Sequence, residues 1–120
     1  MSIFSKLFSK PYSSVSVSQA QDLLADGAIL VDVRTSQEFN AGHAPIARHI
    51  PLDSLDRKIT SLGSGSTVVT ICKSGMRSAQ AARMLSSHGL TVASVKGGMF
   101  AWQRSGARVV ARNGREGSVV

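Results

Sequence analysis

Apolar residues in this chain occur in short runs of strand-forming type, separated by segments in which the apolar positions have helical spacing. Runs rich in Val and Ile predict strands over residues 15–17, 28–33, 48–50, 67–71 and 91–95. The segments between them predict helices over residues 19–25, 52–62 and 77–87, a helical turn over 36–41 and a last helix ending near Ser105. This alternation predicts an α/β fold with a doubly wound, mainly parallel five-stranded sheet and helices on both faces.

Polar residues and glycines mark the ends of several predicted helices. Ser18 is a candidate N-cap for the first helix, and Gly27 follows that helix. Thr35 and Glu38 have the spacing of a capping box for the turn over residues 36–41. Gly89 ends the helix over residues 77–87. These signals set the predicted boundaries.

The single cysteine lies where the central predicted strand gives way to a helix. Cys72 follows the strand over residues 67–71, and a short loop with Ser74 and Gly75 leads into the helix. Backbone N–H groups at the start of a helix favour anions and lower the pKa of a thiol held there. Lys73 and Arg77 add positive charge on both sides of the loop. Cys72 is therefore a candidate nucleophile, although a cysteine at a strand end can also be a small buried apolar residue.

The spacing between Cys72 and Arg77 indicates what the loop can hold. Four residues separate them, whereas loops that wrap a phosphate around a cysteine usually have five. A tighter loop is better matched to a sulfur atom carried on the thiolate as a persulfide. Attack of the thiolate on a sulfane sulfur, followed by attack of an acceptor, needs neither a metal nor a second base. We therefore expect no cofactor.

Three segments together resemble the single-domain rhodanese-like (thiosulfate sulfurtransferase-like) family. The resemblance covers about residues 15–109. It is carried by residues 30–39 with 42–47 and 50–52, by the loop CKSGMR over residues 72–77, and by residues 97–102 followed by Gly106. Each segment is weak alone, and their order and spacing make the combination specific.

The resemblance implies roles for individual residues. Cys72 matches the cysteine that carries sulfur, and Asp32 and Arg34 match a segment near the active-site loop at the end of the second strand. The loop residues, whose amides would point at the persulfide, are Lys73, Ser74, Gly75, Met76 and Arg77. A loop of six residues is typical of the sulfurtransferases, whereas the related phosphatases and arsenate reductases usually have seven.

Structural interpretations compete for the polar residues outside the loop. Asp32, Arg34 and Glu38 could form an ion pair that fixes a turn, and this interpretation is favoured for all three, most of all for Glu38. His43, between a glycine and a proline-containing turn, is more typical of a hydrogen-bonded turn residue than of a base or ligand. The three histidines have no metal-ligand spacing, so no metal site is predicted. Trp102 is expected to pack in the core.

Length and cysteine content limit the organisation and location of the chain. Its 120 residues predict one domain over residues 15–109. An extension over residues 1–14 has apolar residues at helical spacing with lysines among them, as in an amphipathic anchor or a docking helix, and residues 110–120 predict a flexible basic tail. One cysteine gives no internal disulfide and fits a reducing compartment, so a cytoplasmic location is expected. No apolar run is long enough to predict a membrane span.

The formal net charge of +7 bears on the choice of partner. The cations are scattered and aromatic residues make up only 5% of the chain, so no nucleic-acid surface is expected. A basic rim instead favours a small anionic sulfur donor such as thiosulfate, or an acidic protein partner. The leading function is transfer of sulfane sulfur from thiosulfate or a persulfide to cyanide or a thiol. The alternatives are a binding or regulatory module and, with less support, a small phosphatase or arsenate reductase.

Overall fold

The computed structural model describes residues 12–120, so the predicted amphipathic pattern over residues 3–10 lies outside the described residues. The strands are β1 (Ser13–Val15), β2 (Ile29–Asp32), β3 (Arg48–His49), β4 (Thr67–Ile71) and β5 (Thr91–Val95). The helices are α1 (Val17–Ala25), α2 (Ser36–Ala41), α3 (Leu55–Lys58), α4 (Met76–Ser87) and α5 (Gly98–Arg104). None of the helices in this part of the chain is long and apolar enough to cross a bilayer.

The described strands form one parallel sheet in the order β1-β5-β4-β2-β3. Strand β4 lies in the middle, paired with β5 on one side and β2 on the other. The predicted doubly wound α/β fold with a central strand over residues 67–71 is therefore confirmed. The chain leaves β4 toward β5 and leaves β2 toward β3, so the carboxyl ends of β4 and β2 form the switch point where such sheets bind ligands.

Helices cover both faces of the sheet, and the strand residues alternate between two cores. On one face, Val69 and Ile71 of β4 pack in a cluster that includes residues of α1 and α5. On the other face, Val68 and Cys72 belong to a cluster that includes Ala81, Ala82 and Leu85 of α4. The period of two thus turns Cys72 toward α4.

The first strand and the first helix begin earlier than the sequence pattern predicts. β1 covers Ser13–Val15 instead of residues 15–17, because Val15 is the last residue to pair with β5. The N-cap of α1 is Ser16 and not Ser18. Ser16 Oγ accepts a hydrogen bond from the backbone of Gln19, and the Gln19 side chain accepts one from the backbone of Ser16. This reciprocal capping box outweighs the single signal at Ser18.

The predicted helix over residues 52–62 is broken into three pieces. A 3₁₀ turn over Leu52–Ser54 precedes α3, and a second 3₁₀ turn over Ile59–Leu62 follows it. The hydroxyl of Ser61 donates to the carbonyl of Lys58 at 2.6 Å, in competition with a regular helical hydrogen bond. Gly63, with φ +75°, then ends the segment. The apolar spacing correctly predicts helical structure in this segment. The hydrogen bond from the Ser61 hydroxyl to the Lys58 carbonyl competes with the helical backbone bonds and shortens the regular helix.

The C-terminal residues lie against the domain, which differs from the free basic tail that the composition predicts. Val110 pairs with His43 through two backbone hydrogen bonds of 2.9 Å. The backbone of Ser118 donates to the carbonyl of Ala41, at the end of α2. The carbonyl of Val109 accepts from Gly117, so the segment folds back on itself. Charge alone does not predict these backbone contacts.

Candidate active site

The loop between β4 and α4 holds the sulfur of Cys72 beneath the surface. Cys72 directly follows β4 and only 1% of its surface is exposed. The helix begins at Met76, one residue before the predicted start, and Gly75 is its N-cap. Gly75 has φ +122°, a backbone conformation that residues with a side chain rarely adopt. A glycine at this position allows the chain to turn sharply around the sulfur.

The start of α5 holds the same loop from outside. The Met99 N–H donates to the carbonyl of Cys72 at 2.7 Å, and the Phe100 N–H donates to that of Lys73 at 3.2 Å. A Cβ atom on Gly98 would lie only 2.7 Å from the carbonyl carbon of Lys73. Gly97 and Gly98 belong to a segment that resembles the family pattern. Of the two, Gly98 is the one that the close approach to the loop requires.

Two polar groups lie within hydrogen-bond distance of the Cys72 sulfur. The N–H of Gly75 donates to Sγ at 3.1 Å, and the hydroxyl oxygen of Ser78 lies 3.6 Å from Sγ. Ser78 is fully buried on the first turn of α4. Its hydroxyl also contacts the carbonyl of Gly75 at 3.1 Å and the hydroxyl of Ser94 at 2.9 Å. The sulfur therefore lies among uncharged hydrogen-bonding groups, with the Gly75 N–H donating to it and the Ser78 hydroxyl oxygen accepting from its thiol.

These contacts lower the pKa of the Cys72 thiol despite its burial. Burial raises the pKa, because a thiolate loses hydration away from water. Hydrogen bonds from the Ser78 hydroxyl and from the backbone N–H groups of Ser78, Gly75 and Ser74 outweigh this effect. The net pKa lies below that of an ordinary thiol. The direction agrees with the sequence-based expectation for a thiol at a helix start.

The two cations of the loop are engaged elsewhere, and this changes the predicted electrostatics. Arg77 donates to both carboxylate oxygens of Glu38, at 2.7 and 2.8 Å. The ammonium of Lys73 lies 5.5 Å from the ring centre of Phe100. The sequence predicts positive charge on both sides of the sulfur, but a carboxylate neutralises Arg77. The low pKa of the thiol rests mainly on hydrogen bonds.

Glu38 has a larger role than the turn-fixing ion pair expected of it. The predicted capping box is confirmed, because Thr35 Oγ1 accepts from the Glu38 backbone and the Glu38 side chain accepts from the Thr35 backbone. Its carboxylate pairs with Arg77 and not with Arg34. The hydrogen bonds from Arg77 lower the pKa of Glu38 to about 2, with Thr35 adding to the effect and burial opposing it. The same pair raises the pKa of Arg77.

Asp32 and Arg34 form a separate, buried ion pair at the end of β2. Both side chains are fully buried, and Arg34 Nη2 lies 2.7 Å from Asp32 Oδ2. Arg34 Nη2 also donates to the carbonyl of Gly42 at 2.7 Å. In the described part of the chain these two side chains bond to each other and to the backbone and not to Cys72, so their geometry supports the structural interpretation.

The remaining predicted loop residues lie at the rim. Met76 is 83% exposed at the start of α4, and Ser74 is exposed beside it. Next to Arg77, a groove of about 560 Å³ runs along α4 at the carboxyl edge of the sheet. Residues lining it include Thr35, Leu52, Arg77, Gln80 and Met84.

The histidines and the tryptophan serve local structure. His43 Nδ1 lies 2.6 Å from the carbonyl of Phe39, as expected for a hydrogen-bonded turn residue. The rings of His43 and His49 stack on Phe39. Trp102 is 5% exposed and donates to the carbonyl of Arg108, which confirms its predicted core position. Within residues 12–120, no His, Cys, Asp and Glu side chains are grouped to hold a metal ion.

Three contacts of the site are not foreseen by the sequence patterns. They are the Ser78 hydroxyl near the sulfur, the Ser94 hydroxyl in contact with Ser78, and the pairing of Glu38 with Arg77. A signal for Ser78 exists: it follows the loop on the first turn of α4, where side chains point back toward the helix start. Ser94 has a weaker one, as a polar residue within an apolar strand. The pairing of Glu38 joins residues 39 positions apart and has no local signal.

Comparison with known proteins places these features in a family. The family model of the rhodanese-like domain matches residues 16–105. The chain is 36% identical to thiosulfate sulfurtransferase 16, chloroplastic, of Arabidopsis thaliana, covering 78% of this chain and 89% of that protein. It is 34% identical to thiosulfate sulfurtransferase GlpE of Ectopseudomonas mendocina, covering 77% and 85%.

A solved structure gives the same result for the fold. The crystal structure of a rhodanese-related protein from Thermoplasma volcanium matches with a TM-score of 0.76 and 30% sequence identity, covering 82% of this chain and 98% of that one. The resemblance carried by the residues around Asp32, Cys72 and Gly97 is therefore borne out over three quarters of the chain. The chain belongs to the rhodanese-like family.

Proposed function

We propose that this protein is a sulfurtransferase that carries sulfane sulfur as a persulfide on Cys72. The donor is thiosulfate or another persulfide, and the acceptor is cyanide or a thiol. One observation carries the proposal: at the carboxyl edge of the sheet the sulfur accepts a hydrogen bond from the Gly75 N–H, a donor that stabilises a thiolate, and lies 3.6 Å from the Ser78 hydroxyl oxygen. The sulfurtransferase names of the relatives support it.

In the first half-reaction, the Cys72 thiolate attacks the sulfane sulfur of the donor. With thiosulfate, a bond forms between Sγ and the sulfane sulfur, and the bond between the two donor sulfurs breaks. Sulfite leaves with the electron pair, and the enzyme holds a persulfide. The lowered pKa of Cys72 favours this step, because only the thiolate is a good nucleophile.

In the second half-reaction, an acceptor attacks the outer sulfur of the persulfide. The bond between Sγ and that sulfur breaks, and the Cys72 thiolate leaves with the electron pair. Cyanide becomes thiocyanate, and a thiolate acceptor becomes a persulfide. The two half-reactions balance without a redox cofactor, since the sulfane sulfur passes from donor to acceptor and the cysteine returns to its starting state. The groove beside Arg77 offers a thiol acceptor an apolar surface next to the loop.

The length of the loop favours this function over phosphate or arsenate chemistry. Six residues from Cys72 to Arg77 enclose a smaller space than the seven-residue loop expected of those enzymes. The guanidinium of Arg77 is bound by Glu38 and does not stand free for a tetrahedral anion. A regulatory module that has lost transfer activity would not need a thiol of lowered pKa. An acidic protein remains a candidate partner, given the net charge of +7.

Intact-mass spectrometry after incubation with thiosulfate tests the proposal. We expect the wild-type protein to gain one sulfur atom and to lose it when cyanide is added, with thiocyanate as the product. Cys72→Ser removes the sulfur carrier while changing little volume, so it should gain no sulfur and keep its fold. Ser64→Ala, at an exposed serine in the turn before β4, is the matched control and should load normally.

Further substrates separate the alternatives. Hydrolysis of phosphate esters or reduction of arsenate that depends on Cys72 would favour the phosphatase or arsenate reductase alternative. Failure to load from thiosulfate and from several persulfide donors would favour a binding module. Loading of Cys72→Ser would contradict the mechanism.

A further inference from the structure

Three buried hydroxyl groups lie beneath the active-site loop. Thr70 and Ser78 are fully buried, and Ser94 is 3% exposed. Thr70 and Ser94 are register partners on β4 and β5, and Ser78 approaches them from α4. Buried hydroxyls cost free energy unless they are hydrogen-bonded, and an apolar residue would serve a core position at less cost. Packing alone therefore does not explain why three hydroxyl groups lie together at this position.

The hydroxyl of Ser78 has more acceptors than it has protons. Its oxygen lies 3.6 Å from Cys72 Sγ and 3.1 Å from the carbonyl oxygen of Gly75. A serine hydroxyl has one proton and can donate to only one of these acceptors at a time. The hydroxyl of Ser94, at 2.9 Å, can donate to the Ser78 oxygen in either case. Thr70 donates to the backbone carbonyl of Ser78 at 2.8 Å and so fixes that turn of the helix.

The protonation state of the sulfur determines which acceptor receives the hydrogen bond from the Ser78 hydroxyl. When Cys72 is a thiol, its S–H donates to the Ser78 oxygen, and Ser78 donates to the Gly75 carbonyl. When Cys72 is a thiolate, the sulfur becomes an acceptor only, and a donor is needed on that side. A rotation of one hydroxyl supplies this donor without any backbone movement.

We propose that Ser78 is a catalytic residue whose hydroxyl turns from the Gly75 carbonyl to Cys72 Sγ when the thiolate forms, while Ser94 donates to Ser78 in both orientations. This inference rests on the proposed sulfur transfer, in which the thiolate is the nucleophile of the first half-reaction and the leaving group of the second. A hydrogen bond to the thiolate has opposite effects on these two roles. It makes the nucleophile less reactive and the leaving group better.

None of the charged side chains around the sulfur in the described part of the chain donates a hydrogen bond to it, and Arg77 acts on Cys72 only through its charge. Those at this edge of the sheet are paired or turned aside: Asp32 with Arg34, Glu38 with Arg77, and Lys73 on the ring of Phe100, while Lys96 is exposed after β5. Removing a hydroxyl that hydrogen-bonds to a charge leaves that charge unsatisfied in a buried site. The effect of Ser78 should therefore be distinguishable from that of the surrounding charges.

Titration of the thiolate by its ultraviolet absorbance gives the first test, since the chain has one cysteine. In Ser78→Ala, we expect the ionised fraction below the titration midpoint to fall about tenfold. Ser94→Ala should show a smaller change in the same direction, and Ser78→Thr, which keeps a hydroxyl, should restore most of it. Thr70→Val is the matched control: it removes a buried hydroxyl from the same network, one that does not touch sulfur, and should leave the titration unchanged.

Single-turnover kinetics of the two half-reactions give the second test. For Ser78→Ala, loading from thiosulfate should be about threefold slower below the thiol midpoint and about threefold faster above it, because the remaining thiolate is more nucleophilic. Discharge to cyanide should be about threefold slower at every pH, because the thiolate is a poorer leaving group. A purely structural role would slow both half-reactions at all pH values.

The outcomes separate the inference from the function on which it rests. If wild-type protein takes up no sulfur, the proposed function fails, and the titration still tests the contact between Ser78 and Cys72. If wild-type protein loads but Ser78→Ala gives the same titration and the same two rates, the role of Ser78 is overturned. Equal effects in Thr70→Val and Ser78→Ala would also overturn it. If Ser78→Ala does not fold, Ser94→Ala must load sulfur more slowly than wild type below the thiol midpoint and faster above it. If Ser94→Ala lacks this pattern, the proposed hydrogen bonding from Ser94 through Ser78 to the sulfur is refuted.

Discussion

Two arginine–carboxylate pairs lie at the carboxyl edge of the sheet, and their surroundings differ sharply. Asp32 and Arg34 are two residues apart and fully buried, with 2.7 Å between Oδ2 and Nη2. Glu38 and Arg77 are 39 residues apart, also meet at 2.7 Å, and remain 16% and 34% exposed. The chemistry of the two contacts is the same. Burial and sequence separation give the pairs different consequences for fold and function.

The buried pair of Asp32 and Arg34 affects stability mainly through the unpaired charge that remains when one partner is removed. Removing one partner strands a charge away from water, whereas replacing both with apolar residues is often tolerated. The partly exposed pair of Glu38 and Arg77 contributes less to stability, because water competes for both charges. It instead connects α2 to the active-site loop and cancels a positive charge there. We therefore expect the first pair to control folding and the second to control the approach of an anionic donor.

The largest effect is expected from Asp32→Ala. It leaves the guanidinium of Arg34 buried without its carboxylate, and the described residues already give Arg34 Nη1 no hydrogen-bond partner. The free energy of unfolding should fall by about 3–5 kcal/mol, measured by urea denaturation. Sulfur loading per folded molecule should stay near that of the wild type.

A double variant shows how the unfolding free energy changes when both charges of the buried pair are removed, instead of one. Asp32→Leu combined with Arg34→Met removes both charges, and part of the lost stability should return. The carbonyl of Gly42 and the backbone N–H of Arg34 still lose their partners, so recovery should be incomplete. A double variant that is less stable than Asp32→Ala would contradict the account of a stranded charge.

A smaller effect, mainly on the rate of loading, is expected from Glu38→Gln. The amide keeps a hydrogen-bond acceptor for the capping box but no longer neutralises Arg77. Loading from thiosulfate should become about threefold faster at low ionic strength, because the doubly negative donor meets a more positive rim. The difference should disappear at high salt. Asp53→Asn, another carboxylate beside the groove, is the matched control and should change loading less.

The sequence predicts the sheet and the location of the cysteine well, because both depend on local patterns. The short apolar, β-branched runs over residues 67–71 and 91–95 give the boundaries of β4 and β5 without error. Gly75 before a run of helix-forming residues indicates the turn that holds Cys72. These signals operate over a few residues, where backbone propensity and hydrophobic periodicity decide the outcome.

What the sequence does not predict depends on contacts between distant segments. The partner of Arg77 lies on α2, and the hydroxyl next to Ser78 comes from β5, 16 residues away. Positive residues flanking a cysteine suggest a cationic site, and only the folded chain reveals that Glu38 neutralises one of them. The N-cap at Ser16 is a local exception, because it is set by a side-chain exchange with Gln19, three residues away, and not by helix propensity.

Acid should weaken the ion pair between Glu38 and Arg77 over a defined range of pH. The folded-state pKa of Glu38 is lowered to about 2 from an ordinary value of 4.5, chiefly by hydrogen bonds from Arg77. A group with a lowered folded pKa stabilises the fold above its unfolded pKa, and this contribution is lost as the pH falls through the folded pKa. The difference in unfolding free energy between wild type and Glu38→Gln should therefore shrink as the pH falls from about 4.5 to about 2. A difference independent of pH in this range would mean that the carboxylate charge contributes nothing.

The smallest effect is expected from the other cation of the loop. Lys73 lies over the ring of Phe100 at 5.5 Å, an exposed contact of about 0.5–1 kcal/mol at most. Lys73→Met keeps the apolar stem and removes the charge, so its unfolding free energy should change by less than about 1 kcal/mol. Loading from thiosulfate should slow modestly at low salt, opposite in sign to the effect of Glu38→Gln. Phe100→Leu is the control that removes the ring and keeps the charge. If Lys73→Met instead abolished loading, the lysine would have to reach the donor directly, and hydrogen bonds alone would not account for the site.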